Sequence, residues 1–152
     1  MFWDKVSGIY DLFGKVYNGR VNRRMCRDVA KEIGTGDRVL ECACGTGLIT
    51  AAVAGKCREL VATDYSEGML KQTRKKCGSN PNVTIRSANI LELPFSDKEF
   101  DVVIAANVIH LLDDPCELPT AYAYAKRRGL RAAYADTGQT LARCPVSPGL
   151  LL

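Results

Sequence analysis

Short apolar runs alternate along the chain with segments whose apolar positions recur every three or four residues. The apolar runs predict four strands: RVLECAC, ELVATD, VTIRSA and FDVVIAANVI. The helical spacing predicts four helices: residues 2–17, residues 21–33, GLITAAVAGK and SEGMLKQTRKKC. Strands that alternate with helices over short connections make right-handed crossovers. The pattern therefore predicts a doubly wound α/β domain with a mainly parallel sheet, covered by helices on both faces.

Turn-forming residues mark the ends of these elements. Gly34 follows the second helix, where we expect a left-handed cap. Ser66 stands at the N-cap of SEGMLKQTRKKC, and Gly78 lies beyond its end. Asn80-Pro81-Asn82 turns the chain into the third strand. FDVVIAANVI is apolar almost throughout, which predicts a central strand buried on both faces.

Glycines and polar residues follow each predicted strand. They are Gly45-Thr46-Gly47, Asp64, Asn89, and Asn107 with His110. In a doubly wound sheet, ligands bind at the carboxyl ends of the strands, where the strand order reverses. A glycine turn alone could be only a tight connection. Asp64, however, lies 19 residues beyond Gly45 at the end of the next strand, where a ribose is bound in such folds.

A dinucleotide fits this loop poorly. Its fingerprint G-x-G-x-x-G needs a third glycine, but that position is Thr50 when counted from Gly45 and Leu48 when counted from Ala43. Glu41 would also face the phosphates with the wrong charge. We therefore disfavour a nicotinamide-dependent oxidoreductase.

A ligand with an ammonium group, a sulfonium and a ribose, but no phosphate, fits better. Glu41 would attract the cation, and the glycines would admit an amino-acid moiety. Asp64 would accept from both ribose hydroxyls. S-adenosylmethionine has these groups.

Three stretches carry a resemblance to a known family: VLECACGTG, VATDYSEGML and ANILELPFSDKEFDVVIAANVIHLL. They resemble successive motifs of class I S-adenosylmethionine-dependent methyltransferases, especially the ubiquinone/menaquinone-biosynthesis-like subgroup (methyltransferase domain type 11). The resemblance covers about residues 35–115, with the motifs in the family's order and spacing. It implies a Rossmann-like fold and methyl transfer to a small-molecule acceptor.

The resemblance also implies roles for individual residues. Glu41, Ala43, Gly45 and Gly47 would form the loop at the methionine side of the cofactor, and Asp64 would take the ribose.

On the adenine side, the resemblance implies that Tyr65 and Met69 line the base. Asn89 stands where the family often has an aspartate, and its amide oxygen would accept from the adenine amino group. Ile90 would supply a backbone amide, and Asn107 would border the methionine end.

Methyl transfer asks the protein mainly to align the reactants and exclude water. His110, the only histidine, is the candidate base for a hydroxyl or carbon-acid acceptor, or else it lines the pocket rim. Tyr10 and Tyr17 share one face of the N-terminal helical region that covers the cofactor in relatives, although simple packing also explains them. No Asn-Pro-Pro-aromatic tetrapeptide follows the fourth strand, so we expect a small-molecule acceptor. A quinone precursor, a phenol and a metalloid remain open.

Composition bounds the setting of the protein. With 47% hydrophobic and 25% charged residues and no long apolar run, the chain predicts a globular domain without stable membrane insertion. Its beginning, MFWDKVSGIYDLF, does not resemble a secretory signal, so we expect a cytoplasmic protein. The net charge of +4 is dispersed, which argues against a nucleic-acid partner. The densest basic stretch, RVNRRMCR, predicts the solvated face of a helix.

Seven cysteines without a CxxC pair predict reduced thiols rather than disulfides. Cys42 and Cys44 lie two apart on a predicted strand, which would place both on one face. We favour small buried residues over a zinc or metalloid site there, and expect no metal.

The pattern changes near Cys116, beyond which the chain contains no Ile, Phe, Met or Asn. We expect residues 1–115 to form the cofactor-binding domain with its helical cover, and residues 116–152 to be an atypical C-terminal segment. The spacing predicts a helix over about 120–128, capped by Thr120 and ended by Gly129, whereas LRAAYADT is a poor strand. We favour a chain truncated or out of frame after Pro115 over a divergent C-terminal region.

This departure leads to further expectations. The sheet would lack its last strands, residues from about 130 would be irregular, and the fourth strand would be an edge or covered by a poor strand. An exposed apolar edge recruits other chains, so a homo-oligomer or an aggregating chain would result. The alternative function is then a fragment that binds S-adenosylmethionine without turnover.

Overall fold

A computed structural model describes residues 19–106, 125–132 and 142–144. The helices are α1 (Gly19–Lys31), α2 (Leu48–Val53) and α3 (Glu67–Cys77). The strands are β1 (Arg38–Cys42), β2 (Glu59–Asp64), β3 (Val83–Ser87), β4 (Phe100–Ala106), β5 (Ala125–Ala132) and β6 (Ala142–Cys144). They form one sheet in the order β3-β2-β1-β4-β5-β6, and only the β5–β6 pair among them is antiparallel. The predicted doubly wound, mainly parallel sheet is confirmed, and its order reverses between β1 and β4.

The central strands bury side chains on both faces of the sheet. One face packs against α1 and α2 in a cluster that contains Met25, Val29, Val39, Ile49, Val53, Leu60, Val102 and Ile104. The other face packs against the segment between β3 and β4 in a cluster that contains Leu40, Val61, Leu93, Phe100 and Val103. The residues of β4 from 102 to 105 are fully buried, which confirms the predicted central strand over its described part.

Most predicted helix features are confirmed, and one is wrong. Ser66 caps α3, because its hydroxyl accepts the backbone N–H of Met69. On α1, Arg23 and Arg27 are exposed while Met25 is buried, as expected for a solvated basic face. Gly34, however, is not left-handed. Its amide donates to the carboxylate of Asp37 at 2.8 Å, and this side-chain acceptor replaces the expected cap.

Two C-terminal expectations, the helix over about 120–128 and the irregular chain from about 130, are corrected by β5 and β6. Residues 125–128 form a strand rather than the end of a helix, and β5 pairs in parallel with β4, with Leu130 opposite Ile104. Residues 130–132 and 142–144 are therefore regular, and of the two alternatives for β4, an edge or a strand covered by a poor strand, the second is confirmed. The physical reason is that the outer side of β4 offers a full row of backbone donors and acceptors. A ladder of this kind tolerates side chains of low strand propensity.

Some expectations lie outside the described residues. These are the helix over 2–17 with Tyr10 and Tyr17, the cap at Thr120, and the candidate site residues Asn107 and His110. Among the helices in the described ranges, none combines the length and the apolar character that a membrane span requires.

A polar network anchors the amino ends of the central strands. The Arg38 guanidinium is 2.8 Å from a carboxylate oxygen of Glu59 and 3.0 Å from one of Glu99. Its backbone N–H donates to Asp101 at 2.9 Å, and its guanidinium lies over the Phe100 ring. This network is at the opposite end of the strands from the loops described next.

Candidate functional site

The loop between β1 and α2, residues 43–47, is defined by three positive φ angles. They are 53° at Ala43, 56° at Gly45 and 78° at Gly47. A Cβ on Gly47 would lie 2.9 Å from both Cγ2 and Oγ1 of Thr73, so packing as well as conformation requires glycine there. Among the residues that the structure describes, a Cβ on Gly45 would meet nothing within 4 Å. The loop therefore has a packed side at Gly47 and an open side at Gly45.

Asp64 holds the open side of this loop through a hydrogen bond to its backbone. One carboxylate oxygen accepts the backbone N–H of Gly45 at 2.8 Å, and the other accepts that of Ser66 at 2.9 Å. Each oxygen has a second lone pair, so the carboxylate can accept two more hydrogen bonds. Asp64 is thus both a loop anchor and a fixed pair of acceptors at the carboxyl end of β2.

Side chains of α3 hold the loop from the packed side. The Thr73 hydroxyl donates to the carbonyl of Gly45 at 2.8 Å, and Lys76 Nζ donates to that of Thr46 at 2.8 Å. The Cys77 thiol lies 3.9 Å from the carbonyl of Gly47. Three successive loop carbonyls therefore contact one face of one helix.

Glu41 is a buried acid on β1, two residues before the loop. Its side chain is 2% exposed, and the Thr50 hydroxyl donates to its Oε2 at 2.6 Å. Burial raises the pKa of Glu41 to about 8 against the hydrogen bond from Thr50, and the charge of Asp64 adds to the rise. At pH 7 the carboxyl group is therefore mostly neutral until a cation is placed beside it.

The predicted adenine-side residues lie at the ends of β2 and β3. Tyr65 is 61% exposed, whereas Met69 is buried in the first turns of α3. The amide of Ala88 donates to the backbone carbonyl of Asp64 at 3.1 Å, which joins the segment before Asn89 to the end of β2. The Asn89 side-chain oxygen accepts the N–H of Leu91 at 3.1 Å, so one lone pair of that oxygen is already used.

Ile90 follows Asn89 and packs partly buried against the cluster of Leu40 and Phe100. The structure therefore joins the loop, Asp64 and the segment at residues 88–90 through hydrogen bonds, while Glu41 is buried near the end of β1 and bonds Thr50 of α2. Asn107 and His110 lie beyond the described part of the chain.

Comparison with known proteins assigns the domain. Residues 39–129 match the family profile described as a methyltransferase domain. The chain belongs to this family. A demethylmenaquinone methyltransferase of Clavibacter sepedonicus is 34% identical over 103 residues, which cover 66% of this chain and 42% of that protein. The chain thus spans less than half the length of the curated relatives that it matches.

Solved structures show the same fold. A putative methyltransferase from Bacillus halodurans C-125 has a TM-score of 0.62 at 24% identity, over 71% of this chain and 48% of that chain. Phosphoethanolamine N-methyltransferase 1 of Haemonchus contortus, solved with phosphoethanolamine and S-adenosylhomocysteine, has a TM-score of 0.73 at 18% identity. That match covers 91% of this chain and 31% of the other. The methyltransferase domain therefore has the Rossmann-like fold of class I methyltransferases.

The two cysteines near the loop do not share a face, contrary to the prediction. Cys42 packs with Leu40 on one face, whereas Cys44 packs with Ala62 and Leu70 on the other. The left-handed Ala43 between them ends the alternation of the strand. Burial raises the pKa of both thiols, so they stay protonated. Within the described ranges, no group of three or more His, Cys, Asp or Glu residues is placed to hold a metal ion.

Sequence reasoning missed Thr50, Thr73 and Lys76. A signal for Thr73 exists, because it falls on the buried stripe of α3 together with Met69, Leu70, and Cys77. A polar residue in an apolar stripe needs a hydrogen-bond partner. Nothing in the local pattern indicated that this partner would be the glycine loop.

Proposed function

We propose that this methyltransferase domain binds S-adenosylmethionine at the carboxyl edge of its sheet and supports methyl transfer to a small-molecule acceptor. The observation that carries the proposal is the loop at residues 43–47. It is open at Gly45 and bounded by the fixed carboxylate of Asp64, and the buried acid Glu41 precedes it on β1. The relatives named above support the same cofactor, since one was solved with S-adenosylhomocysteine.

The residues fit the chemical groups of this cofactor. The free lone pairs of Asp64 would accept from the two ribose hydroxyls. The open space at Gly45 would admit the amino-acid moiety, and Glu41 would attract its ammonium group. Tyr65 and the segment at Asn89 would flank the adenine, and Asn107 would border the methionine end.

The cofactor supplies an activated methyl group on its sulfonium. The protein's contribution is then to orient this group and to exclude water, which can account for several kcal/mol of the barrier. His110 is the candidate base for an acceptor that must lose a proton. Demethylated quinones are the first acceptors to test, because a relative of that specificity shares 34% identity.

The proposal also covers the cellular compartment of the protein and its lack of a nucleic-acid partner. The cysteines that the structure describes are free, which supports a reducing compartment such as the cytoplasm. The basic side chains of α1 are partly neutralised by Asp28, which pairs with Arg24 and Lys31. This supports a solvated helix face rather than a nucleic-acid surface.

Calorimetric titration of the full chain with S-adenosylhomocysteine tests the cofactor. We expect binding to the unmodified chain and to Arg38→Ala, whose side chain lies at the opposite end of the sheet. Asp64→Ala should lose roughly 1.5–3 kcal/mol, as expected for a charged acceptor. Tight binding of NADH without binding of S-adenosylhomocysteine would overturn the proposal.

Transfer of a labelled methyl group from S-adenosylmethionine to a demethylated quinone or a phenol tests turnover. Turnover with either acceptor supports the enzyme. Cofactor binding without transfer to any acceptor would instead support a cofactor-binding domain without turnover.

A further inference from the structure

The glycine loop depends on one residue of α3 that does not face the open side of the loop. Thr73 is fully buried and contacts three of the loop residues. Its hydroxyl donates to the Gly45 carbonyl at 2.8 Å and lies 3.8 Å from the Cys44 thiol. Its Cγ2 and Oγ1 both lie 2.9 Å from where a Cβ of Gly47 would be.

These contacts use both groups on the Thr73 Cβ. The hydroxyl fixes the peptide of Gly45 from one side while Asp64 fixes the N–H of the same residue from the other. The methyl group fills the space against Gly47. Valine would keep the shape without the donor, and serine would keep the donor without the methyl group.

Lys76 extends the same contact by one turn. Its Nζ donates to the carbonyl of Thr46, the loop residue between the two glycines, at 2.8 Å. Thr73 and Lys76 are three positions apart, so they lie on the same face of α3. Together they bind successive carbonyls and orient the loop backbone before any ligand arrives.

We propose that Thr73, assisted by Lys76, is a positioning residue that sets the affinity of the glycine loop for the amino-acid moiety of the cofactor. The inference rests on the function proposed above. A loop that is already ordered loses less conformational entropy when it binds. Removing one of these hydrogen bonds frees the loop and takes the side-chain donor away from a partly buried carbonyl.

Two ligands separate positioning from general stability. S-adenosylhomocysteine carries the amino-acid moiety, whereas methylthioadenosine keeps only the nucleoside part. Thr73→Val should bind S-adenosylhomocysteine about threefold to tenfold more weakly, the range of one hydrogen bond, and methylthioadenosine nearly unchanged. In an active preparation, the KM for S-adenosylmethionine should rise by the same factor while kcat is unchanged.

Matched variants complete the test. Thr73→Ser keeps the donor and should restore most of the affinity. Lys76→Met should weaken S-adenosylhomocysteine binding, whereas Lys75→Met, at an exposed neighbouring position, should not. Thr73→Ser and the lysine pair keep the proposal falsifiable if Thr73→Val does not fold.

Two outcomes overturn the inference. One is unchanged affinity in both Thr73→Val and Lys76→Met. The other is an equal loss for both ligands that follows the loss of thermal stability. If the unmodified chain binds neither methylthioadenosine nor S-adenosylhomocysteine, the proposed function is wrong, and this inference is wrong with it.

Discussion

Glu41 should couple cofactor binding to the release of a proton. The residue is 2% exposed, and burial raises the pKa of its carboxyl group to about 8. About one Glu41 in ten is then ionised at pH 7. An ammonium group beside the carboxyl group favours the ionised form, so binding of the cofactor expels a proton from most molecules.

The size of the effect follows from this pKa. Deprotonating Glu41 costs roughly 1 kcal/mol at pH 7 and roughly 3 kcal/mol at pH 6, because these values lie about one and two pH units below its pKa. The affinity for an ammonium-bearing ligand should therefore rise about ninefold from pH 6 to pH 7. The neighbouring thiols do not titrate between pH 6 and pH 7, because burial raises the pKa of Cys26 to about 11 and that of Cys42 to about 12. Burial raises the pKa of Cys44 and Cys77 as well.

Calorimetry in buffers of different ionisation enthalpy counts the protons released. We expect nearly one proton for each S-adenosylhomocysteine bound at pH 7, and none for methylthioadenosine, which lacks the ammonium group. Glu41→Gln should bind S-adenosylhomocysteine weakly and without pH dependence. Constant affinity of the unmodified chain between pH 6 and pH 7, without proton release, would refute the reasoning.

Three further predictions concern stability. At pH 8, the free energy of unfolding of Glu41→Gln, measured by urea unfolding, should exceed that of the unmodified chain by up to about 4 kcal/mol. The raised pKa of Glu41 contributes stability that is fully present below the unfolded value of 4.5 and is lost as pH rises through about 8. Equal stability of the two proteins at pH 8 would contradict this. Ala43→Gly should stabilise by about 0.5–1 kcal/mol because φ is 53° there, whereas Ala51→Gly on the exposed face of α2 should cost about 1 kcal/mol; both are measured by urea unfolding. Arg38→Ala should lower the free energy of unfolding by about 1 kcal/mol with unchanged affinity for S-adenosylhomocysteine, and a changed affinity would show that the two ends of the sheet are coupled.

Periodicity predicted the elements whose side chains are strongly patterned. β4 was recognisable because its interior is almost entirely apolar, and α3 because its cap residue Ser66 precedes an amphipathic segment. The strand-end rule also placed Gly45 and Asp64 at one edge, where they share a hydrogen bond.

Predictions from the sequence pattern were wrong or missing where backbone hydrogen bonds or contacts between distant residues determine the structure. β5 has weak strand propensity and forms through its ladder with β4. The carboxylate of Asp37 accepts the Gly34 amide and so replaces the expected left-handed cap. The left-handed Ala43 places Cys42 and Cys44 on opposite faces of the sheet. The role of Thr73 depends on a loop 28 residues earlier, which no local window contains.

The strand order has a consequence for how the chain folds. Arg38 of β1 contacts Glu59, 21 residues away, on one side, and Asp101, 63 residues away, on the other. Pairing β1 with β2, and β2 with β3, closes short stretches of chain, whereas pairing β1 with β4 closes a much longer one. The longer closure costs more conformational entropy, so we expect it to be the slower step. Asp64, Thr73 and the glycine loop all belong to the first half. The hydrogen-bonded arrangement of these residues can therefore form before the sheet is complete, and we expect a ligand that binds it during synthesis to stabilise an early intermediate and shorten the exposure of the apolar β4.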